Sequence, residues 1–228
     1  MKATAIVPVK RFGAAKQRLL DALDRPQRAV LVTAMLADVF AALGRARGIE
    51  RIIVVTGEAQ AERIALRTAE RLATPIEVLR DPDDRGHPQA AILGIARARA
   101  LGARCVALVP GDCPLLDPVE LGTALELARI GRVAVVPDRH GTGTNALIMA
   151  PPEAIGPAFG PGSRNRHIDR ARRAGHEAAV EELPSLALDV DTPADLRDLA
   201  QLLASVPDRA PATARELDRL GLMPATAR

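Results

Sequence analysis

The sequence predicts an α/β fold: one domain around a mainly parallel, doubly wound sheet. Three observations carry that prediction. Short apolar runs alternate with helix-periodic segments over most of the 228 residues, the pattern of strands joined by right-handed crossovers. Cys105-Val106-Ala107-Leu108-Val109 is a run of five apolar residues, which suits a parallel strand covered on both faces. No linker divides the chain, so residues 1–205 are read as a single domain. Residues 206–228, rich in Ala, Pro and Arg, are read as a peripheral tail, helical from Thr213 to Leu220.

The elements follow in order. Ala3 to Val9 is a first strand, and Pro26 to Leu43 a helix with its apolar stripe at Val30, Leu31, Ala34 and Val39. Arg51 to Thr56 is a second strand, then a helix from Glu58 to about Leu72. Ile76 to Leu79 and the helix Gln89 to Ala100 come next, then the strand that ends at Pro110. A helix near Pro118 to Ala128 leads to a strand from Arg132 to Pro137. Ala146 to Met149 and His176 to Glu182 read as strands, with a basic helix from Arg164 to Ala174 between them. Leu186 to Asp191 reads as a short strand, and Thr192 caps a helix from Pro193 to Leu203.

Composition narrows the partners. A net charge of +3 suits an anionic ligand without demanding nucleic acid. Trp and Tyr are absent and Phe12, Phe40 and Phe159 are the only aromatic residues, which disfavours a binder that stacks single-stranded bases. Cys105 and Cys113 are too few for a disulfide framework and read as small core residues. The start of the sequence has no signal-peptide pattern, and no apolar run is expected to reach transmembrane length, so a cytoplasmic protein with no membrane partner is expected.

Three stretches carry chemistry. Pro110 and Gly111 end the fourth strand and leave Asp112 at its carboxyl end, where open α/β sheets place ligands. Such a charge needs a partner: a divalent cation beside a nucleotide, or the amides of a helix that Asp112 would cap. The first strand runs into Lys10, Arg11, Gly13, Lys16 and Arg18, four cations within nine residues. A triphosphate suits that loop, with amides around Gly13 and charge from the Lys and Arg side chains, although neither a P-loop nor a G-x-G-x-x-G fingerprint is present. Asp189 and Asp191 would share one face of a strand, with Val190 turned to the core. Two such carboxylates repel unless a cation lies between them, and capping of the next helix accounts for Asp191 alone. Gly141 to Asn145 and Phe159 to Arg164 add glycine-rich loops, the second at a helix start.

In this order the stretches resemble the guanylyltransferases of coenzyme F420 biosynthesis, which act on 2-phospho-L-lactate in archaea and phosphoenolpyruvate in bacteria. The likeness rests on Ile6 to Lys10 with Ala15 to Leu19, Val109 to Leu115, Gly141 to Asn145, Phe159 to Ser163 and Leu188 to Pro193. It implies a glycosyltransferase-A-like fold, as in the nucleotide-diphospho-sugar transferases, and Mg²⁺-dependent transfer of GMP from GTP. The product would be enolpyruvyl-diphospho-guanosine, or its counterpart on 2-phospho-L-lactate or 3-phosphoglycerate. The Ala-, Arg- and Gly-rich style of the chain points to a bacterial member and phosphoenolpyruvate. Carried residue by residue, the resemblance makes Asp112, Asp189 and Asp191 metal ligands. Thr144, Gly160 and Ser163 would hold a small phosphorylated carboxylic acid, and Lys10 and Lys16 would serve the transferring phosphates. The family's Gly-Leu-Asn before the third helix is replaced by Gly86-His87-Pro88-Gln89, with Gln89 as the candidate base reader. The acid's own phosphate is the nucleophile and is already ionised, so no general base is required.

Other readings fare worse. Molybdenum-cofactor nucleotidyltransferases carry a Gly-rich loop after the first strand that Val9 to Leu19 lacks. A non-catalytic nucleotide-binding regulator has no need of all three aspartates. Interspersed acidic residues argue against a nucleic-acid partner.

Overall fold

Seven strands form one sheet in the order β3-β2-β1-β4-β6-β5-β7. The computed structural model describes residues 1–12, 17–19, 22–81, 83 and 86–224. The strands are β1 (Ala3–Val9), β2 (Ile49–Thr56), β3 (Ile76–Arg80), β4 (Val106–Leu108), β5 (Arg132–Pro137), β6 (Thr144–Ala150) and β7 (Glu177–Val180). β1 pairs in parallel with β2 and β4, β2 with β3, and β5 with β7. β6 lies antiparallel to both β4 and β5. Residues 138–143 make that reversal, joining β5 to β6 as a hairpin whose second strand opens on Thr144.

The helices are α1 (Arg25–Arg45), α2 (Ala59–Ala69), α3 (His87–Ala100), α4 (Pro118–Glu126), α5 (Ser163–Arg173), α6 (Pro193–Ser205) and α7 (Pro211–Arg219). Strand alternation divides the core. Ala5, Val7, Ile52, Val54, Ala107 and Ile148 face a cluster covered by α1, α2, α4, α6 and α7. Ile6, Ile53, Val55, Leu108, Leu147 and Met149 face a second cluster under α3 and α5. A strand buried on both faces is apolar at nearly every position, which is why these runs lack polar alternation.

Several expectations shift in detail. The buried stripe of α1 runs through Leu31, Met35 and Val39 with Val32, Leu36 and Phe40, while Val30 is 40% exposed. α1 reaches the length and hydropathy of a membrane span, contrary to the sequence reading, but over half of that segment is buried in the protein. Its apolar surface is a core face. Residues 187–191 form no strand: a 3-10 turn at Pro184–Leu186 precedes them, and their backbone bonds run to loops instead of a ladder. Burial still alternates there, with Leu188 and Val190 inside and Asp189 and Asp191 half-buried.

The segment after residue 205 docks on the domain. Ala210, Ala214 and Leu217 join the larger cluster. Asp38 of α1, itself buried, accepts from the Ala212 N–H (3.1 Å), the Thr213 N–H (2.7 Å) and the Thr213 hydroxyl (2.7 Å). It caps α7 from another helix. Asp38→Ala is expected to cost about 2 kcal/mol by orphaning these donors, a fall in melting temperature of roughly 4–8 °C. Asp38→Asn, which keeps one acceptor oxygen, should recover part of it in the same thermal scan.

Candidate active site

The chain reverses its direction of travel across the sheet between β1 and β4. β2 and β3 lie to one side of β1, and β4 lies on the other. Ligands of open α/β sheets bind at the carboxyl ends of strands flanking such a point. Lys10 follows β1 there, and Pro110-Gly111-Asp112 follow β4. They line a cavity of about 280 Å³ with Phe12, His87 and Asp191. A second cavity, of about 500 Å³, is lined by Arg18, Thr144, Gly160, Ser163, Asp189 and Asp191, among others. Asp191 is the wall common to both.

Local bonding sets the three aspartates. Asp112 does not cap α4; Asp117 does, accepting from the Val119 N–H at 2.7 Å. Asp191 does not cap α6 either, because Thr192 and Asp195 form a reciprocal capping box there. The capping roles are filled by neighbours, and Asp112 and Asp191 line the first cavity, Asp191 the second as well. The Val190 N–H donates to the Asp112 carbonyl (3.2 Å), so the two acidic loops are joined by their backbones. Asn145 holds the second loop from the other side. Its Nδ2 donates to the carbonyls of Leu186 (2.7 Å) and Ala187 (3.3 Å) and to Asp189 Oδ1 (3.4 Å).

The electrostatics are those of crowded carboxylates. Burial pushes the Asp189 carboxyl above its ordinary range, and the charges of Asp112 and then Asp191 push it further. Among the described residues no three His, Cys, Asp or Glu side chains converge as a ready-made metal cage. Three hard oxygen donors that repel one another nevertheless suit a divalent cation that keeps much of its water. Asp195 behaves oppositely. Burial works to raise it, but bonds from the Thr192 N–H and hydroxyl, the Asp191 N–H and the Arg139 guanidinium outweigh burial and hold its carboxyl low.

Other expected residues fall as follows. Gly13 and Lys16 lie outside the described residues. Arg18, in a 3-10 turn at Gln17–Leu19, lines the second cavity with Thr144 and Asp189 instead of the Lys10 side. Gln89, half-buried in the first turn of α3, is not among the residues lining the first cavity. His87, two residues before it, is. Gly162 adopts φ +68° as it turns the chain into α5, a conformation that glycine enters without strain. Ser163 follows fully buried, and among the described residues its hydroxyl has no partner.

The sequence reading assigned no role to His87, His167 or Asn145. His87 packs on Phe159, and Phe159 on His167, both edge to face at 4.7 and 5.2 Å. Burial lowers the His87 pKa to about 4, with Asp112 opposing and Lys10 assisting. Burial likewise lowers His167 to about 4, helped by Arg170 and Arg166. His167 lies four residues after Ser163, on the same helical face, a spacing that marks it in the sequence. In the unfolded chain it titrates near 6.5, so between pH 6.5 and about 4 the unfolded state binds the extra proton. Stability should therefore fall as pH drops through that window, by up to roughly 3 kcal/mol from His167, with His87 adding the same sign. Urea unfolding from pH 7 to 4.5 should show that slope, flattened in His167→Asn; an unchanged slope counts against a buried neutral ring.

Comparison with known proteins follows the same lines. A family model described as "Guanylyl transferase CofC like" matches residues 3–203. The phosphoenolpyruvate guanylyltransferase of Conexibacter woesei is 43% identical over 207 residues, 90% of each chain. A solved structure from Desulfovibrio desulfuricans, provisionally assigned as a nucleotide-diphospho-sugar transferase, superposes with a TM-score of 0.71 at 20% identity, covering 96% of this chain and 97% of that one. CMP:2-keto-3-deoxy-manno-octonic acid synthetase in complex with CTP matches with a TM-score of 0.60 at 14% identity, over 90% of this chain and all of the other. At those identities the two solved structures speak for the fold alone.

Proposed function

The chain belongs to the CofC-like guanylyl transferases, and from that membership we propose that it transfers GMP from GTP to phosphoenolpyruvate. The products are enolpyruvyl-diphospho-5′-guanosine and pyrophosphate, as a step in coenzyme F420 biosynthesis in the cytoplasm. One observation carries the reading beyond the relatives' names: two cavities, one beside Lys10 and one beside Thr144 and Ser163, meet at Asp191. A transfer between two anionic substrates needs that layout, with each held separately and their phosphates brought together at one wall.

In this reading the first cavity takes GTP, with Lys10 serving its phosphates, a role the sequence also suggests for Gly13 and Lys16. The second takes the acid. An ionised phosphate oxygen of phosphoenolpyruvate attacks the α-phosphorus of GTP, the bond to the bridging oxygen breaks, and pyrophosphate leaves. Proton removal is not needed, so the low pKa values of His87 and His167 are compatible with turnover at neutral pH. Positioning and counter-charge do the catalysis. Asp112, Asp189 and Asp191 would hold Mg²⁺, which when bound supplies positive charge between the two polyanions. Lys10 would hold the departing pyrophosphate side, and Arg18 the acid's side.

Pyrophosphate release tests this, with GTP, Mg²⁺ and, in turn, phosphoenolpyruvate, 2-phospho-L-lactate and 3-phosphoglycerate. Release that requires phosphoenolpyruvate and stops with EDTA is expected. Release with another acid alone would move the acceptor assignment. Silence with every acid, repeated with ATP and CTP, would replace the enzyme with a nucleotide-binding regulator.

A further inference from the structure

The second cavity contains a hydrogen-bond relay whose direction is set by the backbone. The Ala158 N–H donates to His167 Nε2 at 2.8 Å, so that nitrogen carries the lone pair. The proton of the neutral ring is then on Nδ1. Nδ1 lies 3.0 Å from Thr144 Oγ1 and donates to it, which means that the hydroxyl hydrogen cannot point back at the ring. Thr144 is 8% exposed, and among the described residues no acceptor takes that hydrogen; the cavity lies before it.

We propose that His167 is a positioning residue that fixes Thr144 as a hydroxyl donor to the anionic end of the acceptor acid. The inference rests on the reading that this cavity takes the acid. Ser163 supports it: its buried hydroxyl, without a partner among the described residues, belongs to a residue that lines the same cavity one helical turn before His167. His167 is itself fully buried, with Phe159 against its edge, so the ring cannot turn to release the relay. A protonated ring would set an Nε2–H against the Ala158 N–H, and burial with Arg170 and Arg166 nearby keeps it neutral. The device selects acceptors over donors: a carboxylate or phosphate oxygen fits, and an ammonium does not.

A double-mutant cycle tests the relay. Thr144→Val and His167→Leu should each raise KM for phosphoenolpyruvate about 10- to 100-fold, as for loss of a hydrogen bond to a charged group. KM for GTP should stay unchanged, and the double variant should be no worse than Thr144→Val. His167→Asn, whose amide donor can occupy the Nδ1 position, should restore most of the loss. Additive effects, or equal losses for both substrates, would overturn the assignment. Should His167→Leu fail to fold, ¹⁵N NMR of the wild-type ring at pH 7 decides: an Nδ1–H tautomer is expected, and an Nε2–H or charged ring refutes the relay. A wild-type protein that neither turns over nor binds any of the three acids by calorimetry sinks the functional reading. Additive losses in a wild type that turns over sink only the role of His167.

Discussion

Asp189→Asn should abolish pyrophosphate release, by a thousandfold or more, and at the same time raise the melting temperature of the metal-free protein. Both effects come from one crowded carboxylate. Asp189 is half-buried and feels the unfavourable charges of Asp112 and Asp191. Its folded-state pKa lies above the ordinary value, so ionisation opposes folding as pH rises past 3.8, and the cost is complete once pH exceeds the folded value. At neutral pH the substitution removes that cost and keeps an oxygen for the Asn145 amide, which now lies 3.4 Å from Oδ1. Relief of that cost should appear as a higher melting temperature for the variant than for wild type at neutral pH, with the difference shrinking as pH falls towards 3.8. Thermal scans with and without Mg²⁺ separate the two roles: wild type should be stabilised by the ion, and the variant barely. Near-normal turnover at saturating Mg²⁺ would remove Asp189 from the ligand set.

Gly94→Val should be among the most damaging substitutions outside the site. Gly94 lies on the face of α3 that meets the sheet, and a Cβ there would lie 2.4 Å from Ile6 Cγ2 and 3.1 Å from Val55 Cγ2. Both are stiff, β-branched side chains with no exposed surface, and they cannot turn aside. A full valine would lift the helix from β1 and β2, at a cost on the order of 4 kcal/mol and about 8–16 °C in melting temperature. His87 rides on the first turn of that helix, so GTP affinity should fall with stability. Gly94→Ala should show a smaller loss of the same sign, partly offset by alanine's helix propensity of about 1 kcal/mol. A gain in melting temperature for Gly94→Ala would mean that α3 does not approach the sheet this closely.

The legible parts of the molecule were those governed by local patterning. β1 and β5 span the residues their largely apolar runs predict, because a doubly covered strand is nearly all apolar and Arg132, at the start of β5, is buried only with Glu177 and Glu181 beside it. The three aspartates stand out because each is a charge beside buried chain. Residues 187–191 misled because alternating burial resembles a strand, whereas the Asn145 side chain and the Asp112 carbonyl, distant in sequence, take the backbone bonds. The apolar face of α1 was misplaced because residues around Val30 are apolar on two faces, and α2 and α7 decide which is covered. His167 was missed for a related reason: its partners are Thr144, across the hairpin, and the backbone of Ala158, neither visible as a motif.

The cap on α7 has a consequence for how the protein is made. Asp38 leaves the ribosome early, but its hydrogen-bond partners lie 174 and 175 residues further along the chain. Until Ala212 and Thr213 emerge, α1 carries a carboxylate on a surface destined for the interior, and Leu217 is not there to cover its neighbours. The N-terminal half therefore cannot reach native stability during synthesis. Final closure waits for a contact between distant parts of the chain, the kind that makes folding slow.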